Sequence, residues 1–136
     1  MAQIIFNTRD QLVSIDTTQI AVVQADGNYS RILFINKREI SLSYGISKME
    51  EILKSHSGKR EGFVRLGRSI IVNHAYLYKI DLLRKQLVLT SKDGREVRLN
   101  LSKKLLKPYK EAIVKSIKIE QNYEENNSGD TGKSAI

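Results

Sequence analysis

The chain is 136 residues long, 28% charged and 40% hydrophobic, the balance of a soluble globular protein with room for one core. It has 23 Lys and Arg against 15 Asp and Glu, a formal net charge of +8. It has no cysteine, which excludes a disulfide framework, a thiolate nucleophile and cysteine metal ligands. The last sixteen residues hold Glu124, Glu125 and Asp130 against Lys133, so the positive excess lies entirely in the body of the chain. A domain this basic attracts polyanions, nucleic acid first, with an anionic membrane surface or an acidic protein as the competing attractor. The start of the chain lacks the charged opening and long apolar stretch of a signal peptide. No apolar run approaches the ~20 residues that span a bilayer. The expected location is the cytoplasm, at the nucleoid if the polyanion is DNA.

In chain order, residues 1–11 read as an N-terminal arm, 12–118 as one domain and 119–136 as a disordered polar tail, Asn-, Glu-, Ser- and Gly-rich. Leu12, Ile15, Ile20 and Val22-Val23 read as β-structure. They lead into Asp26-Gly27-Asn28, a hairpin-loop signal. Residues 29–35 follow as a strand, Asn36-Lys37-Arg38 as a second turn and 39–42 as the returning strand. Over 45–55 the period changes: Ile46, Met49, Ile52 and Leu53 recur at helical spacing, with Ser47 and Glu50 as a capping box or Ser43 as an alternative start. Residues 57–62 form a loop. The run Phe63-Val64-Arg65-Leu66-Gly67-Arg68-Ser69-Ile70-Ile71-Val72-Asn73 then places two arginines inside an apolar β-pattern, with Gly67 marking a bend. Beyond it, 75–82 reads as a strand, and 86–90 and 96–101 pair around a turn containing Asp93-Gly94. Leu105, Tyr109, Ala112, Ile113, Ser116 and Ile117 fall near one helical stripe. Pro108 cannot donate an N–H, so a short turn at 103–106 is expected before a helix that holds Pro108 in its first turn. The fold class is mostly β: antiparallel strands with one short internal helix and one C-terminal helix.

Catalysis finds no support in this pattern. His56 and His74 are the only histidines, outside any metal-ligand spacing, and surface positions explain both. Asp16, Asp26, Asp81 and Asp93 fall at turns or strand ends, where local backbone hydrogen bonding accounts for an aspartate. No glycine-rich phosphate loop or nucleophile elbow is present. No metal site, cofactor or enzyme activity is expected. The cations say more. A spread of positive charge is by default a solvated face, but Asn28, Arg68 and Lys103 fall at bends beside predicted strands. Polar side chains there can enter a groove while neighbouring lysines neutralise phosphates. Arg suits that task because its planar fork of donors keeps its charge and matches guanine or phosphate. The plain alternative is an ordinary strand pair with solvated arginines at its ends. An RNA-binding surface would need interleaved aromatics, and Tyr29 and Tyr44 are too few.

Three segments carry a family resemblance. Ile20-Ala21-Val22-Val23-Gln24-Ala25-Asp26-Gly27-Asn28-Tyr29-Ser30 resembles the first motif of the LytTR DNA-binding domain. The run from Phe63 to Asn73 resembles its signature segment. The helix around Ile46 and the ending Leu99-Asn100-Leu101-Ser102-Lys103 match in order and spacing. The resemblance covers roughly residues 12–118. It implies a mostly antiparallel β fold that binds double-stranded DNA through loops entering successive major grooves, in bacterial transcription regulators acting on paired direct repeats. Carried over by position, it implies Asn28 or Tyr29, Arg68 and Lys103 as base contacts. Arg31, Arg65, Ser69, Lys104 and Lys107 are then the phosphate-contact candidates, with support of the Arg68 loop as the alternative role for Arg65. The family commonly has His before Arg68; Gly67 stands here, which removes one possible polar contact. Family members often carry an N-terminal receiver domain. The short arm here implies a stand-alone binding domain whose activity is set by abundance or by a regulatory partner supplied in trans. The contrasting expectation is a small basic module that binds a protein or an anionic membrane without reading DNA sequence.

Overall fold

The structure is a computed structural model and describes residues 3–56 and 62–117. Its centre is the apolar run Ile20-Ala21-Val22-Val23, buried at all four positions. Strict alternation would send successive residues to opposite faces. Here the pairing register shifts between Ile20 and Val22, a bulge, so Ala21 and Val22 pack into one core while Ile20 and Val23 pack into the other. This strand, β3 (Ile20–Asp26), is therefore covered on both sides. It pairs antiparallel with β4 (Tyr29–Phe34) and with β7 (Ile70–Asn73). β5 (Glu39–Leu42) and β6 (Phe63–Leu66) complete a five-stranded sheet in the order β5-β4-β3-β7-β6.

One face of the sheet is covered by the hairpin of β1 (Gln3–Asn7) and β2 (Leu12–Asp16) and by α1 (Ile46–His56). Ile46, Met49 and Leu53 turn inward from α1 at the expected helical spacing, each worth about 1.5–3 kcal/mol of apolar burial. The opposite face carries a second sheet, β8 (Leu77–Asp81), β9 (Gln86–Thr90) and β10 (Glu96–Asn100), together with α2 (Lys103–Ser116). Leu87, Leu89, Val97, Leu106 and Tyr109 close this core against Val22, Leu66, Ile70 and Val72. Asn73 ends the signature segment at 4% exposure. Its Nδ2 donates to the Ile20 carbonyl at 2.9 Å and its Oδ1 accepts from the Ala75 amide at 3.0 Å. That pair of bonds starts a 3-10 turn at His74–Tyr76, so β8 begins at Leu77 rather than at 75.

Two further expectations change. The N-terminal arm is largely a strand: β1 pairs with β2 along its length, and Ile4 and Phe6 are buried, Phe6 with its ring centroid 5.6 Å from that of Tyr44. The expected break ahead of Pro108 is absent. α2 runs unbroken from Lys103 with Pro108 inside it. The Leu106 amide already bonds the Ser102 carbonyl at 3.0 Å, so the helix is established before the proline. Pro108 forfeits one bond, to the carbonyl of exposed Lys104. Burial of Leu106 and Tyr109 offsets that loss. The polar tail and most of the 57–62 loop lie outside the described residues.

Candidate nucleic-acid interface

Three exposed elements meet at one end of the central sheet. The first is the β3–β4 turn. Asp26 pairs with Tyr29, leaving Gly27-Asn28 as a two-residue loop. Gly27 has φ +63° while Asn28 keeps a negative φ, the sign pattern of a II′ turn, which calls for glycine at its first position. Asn28 is exposed at the tip, and Tyr29 is 53% exposed. The second element is the β6–β7 turn. Leu66 pairs with Ile70, so Gly67, Arg68 and Ser69 form the loop and all three are exposed. The β3–β7 ladder continues into this turn: the Ala25 amide donates to the Ser69 carbonyl at 2.8 Å. That bond sets the two turns side by side.

The third element is the first turn of α2. Gly67, at φ +70°, lies against it so closely that an added Cβ would stand 2.6 Å from Leu105 Cδ2. Gly67 is thus required by backbone conformation and by close approach, and it fixes Lys103 and Lys104 beside the Arg68 loop. Ser102 precedes the helix without a side-chain cap, and no acid lies in the first turn. Amides at such an end lack intrahelical acceptors and favour anions. Lys107 is exposed and follows Lys103 and Lys104 at i+4 and i+3, on the same stripe. Arg31 is exposed on β4, with Nη2 3.5 Å from Gln24 Oε1.

Arg65 behaves differently from the other candidates. It shares the inward face of β6 with Phe63, and its side chain is only 23% exposed. Nη1 donates to Glu50 Oε1 at 2.9 Å and to Ser47 Oγ at 3.1 Å, both on α1. Nη2 donates to the Arg68 carbonyl at 2.8 Å. Glu50 also pairs with Lys54 Nζ at 3.1 Å. The Arg65 hydrogen bond, helped by Lys54, holds the Glu50 carboxyl below its ordinary range against the opposing effect of burial. The guanidinium is therefore committed inward, bridging α1 to the loop that carries Arg68.

By contrast, Arg68, Lys103, Lys104 and Lys107 make no ion pair with any described residue, whereas Arg84, Arg95 and Arg98 on the second sheet pair with Asp81, Asp93 and Glu96. His74 Nδ1 lies 2.7 Å from the Tyr109 hydroxyl, a core contact, and burial raises the Tyr109 pKa. His56 is exposed at the end of α1. Among the described residues, no group of three or more His, Asp or Glu could hold a metal ion. The Arg65–Glu50 link and the Gly67–Leu105 contact were not anticipated from sequence. The first had a signal, since Phe63 and Arg65 are two apart in a strand and an arginine on the core face needs an acid. The second had none, because it joins positions far apart in the chain.

This end of the central sheet thus presents two exposed turns and a helix start, with Arg68, Lys103 and Lys104 on the second and third of these elements. The family model for the LytTr DNA-binding domain matches residues 10–114, and the chain belongs to that family, whose DNA-binding domains serve transcription regulation. A solved LytTr DNA-binding domain from Bacillus cereus superposes with a TM-score of 0.55 at 17% sequence identity, covering 83% of this chain and 97% of that one, a likeness of fold. A search of curated proteins finds no match. No helix among the described residues is long and apolar enough to cross a membrane.

Proposed function

We propose that this domain binds double-stranded DNA sequence-specifically and regulates transcription from the cytoplasm, at paired direct repeats. Arg68 reads a guanine edge, Asn28 or Tyr29 and Lys103 make the other base contacts, and Arg31, Ser69, Lys104 and Lys107 hold phosphates. Arg65 is left out of the phosphate set, because its guanidinium already serves Glu50, Ser47 and the Arg68 carbonyl. Regulatory input comes from abundance or from a partner protein supplied in trans. The observation that carries the proposal is the joining of the three exposed elements, by the Ala25–Ser69 bond and the Gly67–Leu105 contact, at an end where Arg68, Lys103, Lys104 and Lys107 make no ion pair with any described residue. Family membership makes DNA the polyanion of choice. Phosphate contacts supply affinity and base contacts supply selectivity, and both kinds of side chain are present at this end.

Selection of bound sequences from a random duplex pool tests this. The expected product is a pair of similar motifs in the same orientation. An unenriched pool, or equal affinity for anionic vesicles and for duplex DNA at matched salt, would overturn the proposal in favour of a general interaction module.

A further inference from the structure

We infer that Arg65 is a positioning residue whose bridge from Glu50 to the Arg68 carbonyl sets the sequence selectivity of the Arg68 loop. The inference rests on the base-reading role proposed for that loop. The Arg68 side chain leaves a three-residue turn whose middle carbonyl is held from inside the protein at 2.8 Å. Two parallel functions of one guanidinium achieve this. Nη1 is anchored on the rigid face of α1 by Ser47 and Glu50, three residues apart and so on the same side of the helix. Nη2 is then aimed at the turn. A planar fork can span two such acceptors at fixed separation, whereas an ammonium is a single point of donation on a flexible stem. Arg65 Nε is buried without a hydrogen-bond partner, a cost the site carries while the two terminal nitrogens are in use. Base readout depends on aligning the donors of Arg68 with acceptors on one base edge. Misplacement of the turn therefore weakens the cognate complex more than the non-specific one.

Glu50→Ala and Arg65→Lys test the inference, and for Glu50→Ala a positioning role and a phosphate-contacting role predict opposite signs. Affinities for a selected duplex and for its scrambled counterpart are measured across a salt series, and amide order parameters of residues 67–69 are measured in the free protein. The expected result is a fall in the cognate-to-scrambled ratio of roughly tenfold for both variants, with the salt slope of Arg65→Lys unchanged. Order parameters should drop from about 0.85 toward 0.6 at the turn. If Arg65 instead contacts phosphate, Glu50→Ala releases it and tightens binding to every duplex, with a steeper salt slope. That result overturns the inference, as do order parameters unchanged in both variants. A wild-type protein that does not discriminate the two duplexes counts against the base-reading proposal. The order parameters of the free protein then still decide whether Arg65 holds the turn.

Discussion

The two sheets of this protein are both rich in arginine and lysine, but their arginines are held differently. On the second sheet Arg84, Arg95 and Arg98 each lie within 3.3 Å of a carboxylate oxygen, and these pairs sit on the surface. At the turn-bearing end of the central sheet, Arg68, Lys103, Lys104 and Lys107 have no acidic partner among the described residues, and the one arginine that does, Arg65, points inward. Net charge locates nothing by itself. Lys79, Lys85 and Lys92 on the second sheet also make no ion pair with a described residue, so the joining of three exposed elements, and not the lack of acids alone, marks the candidate surface.

The contrast breaks first at Arg68. Arg68→Ala should cost about 1–3 kcal/mol at the selected site and relax preference at one base position, read by competition binding. Equal losses on cognate and scrambled duplexes would remove its base-reading role. Gly67→Ala comes next. It demands a positive φ of alanine and drives a methyl into Leu105, so the domain should lose about 1–2 kcal/mol of stability in denaturant titration. Lys107→Ala should weaken binding alike on all sequences and lower the salt slope by about one. On the second sheet, Arg98→Ala should leave the salt slope unchanged, since Glu96 already neutralises that charge.

A pH titration sharpens the comparison inside the protein. The Glu50 carboxyl titrates below its ordinary range when folded, so its contribution is complete above the unfolded-state value and is lost as pH falls through the lower folded one. Acid unfolding of the wild type should therefore include a component that Glu50→Gln lacks, and superimposable pH profiles would contradict the ion pair.

Much of this was legible in the sequence because it is local. The Asp26-Gly27-Asn28 turn, the 45–55 helix and the Asp93-Gly94 turn announce themselves through glycine placement and period. The exposed candidates, Asn28, Arg68 and Lys103, were found as polar residues at bends. What could not be read was set by packing. Ile4 and Phe6 look like an unremarkable arm until β2 pairs with them. Pro108 argues for a break until the burial of Leu106 and Tyr109 on both sides of it fixes one continuous helix. Arg65 and Arg68 share a residue type and lie three apart, but strand alternation sends the first toward α1 while the Gly67 turn sends the second outward.

The division between the two sheets can be seen directly by titrating the isotopically labelled domain with its selected duplex and following backbone amide shifts. The largest changes should fall at residues 27–29, 67–69 and 102–105, with the 91–95 turn of the second sheet nearly silent. Dominant shifts at 91–95, with the three elements unmoved, would contradict the assignment of this end of the sheet as the DNA-binding surface.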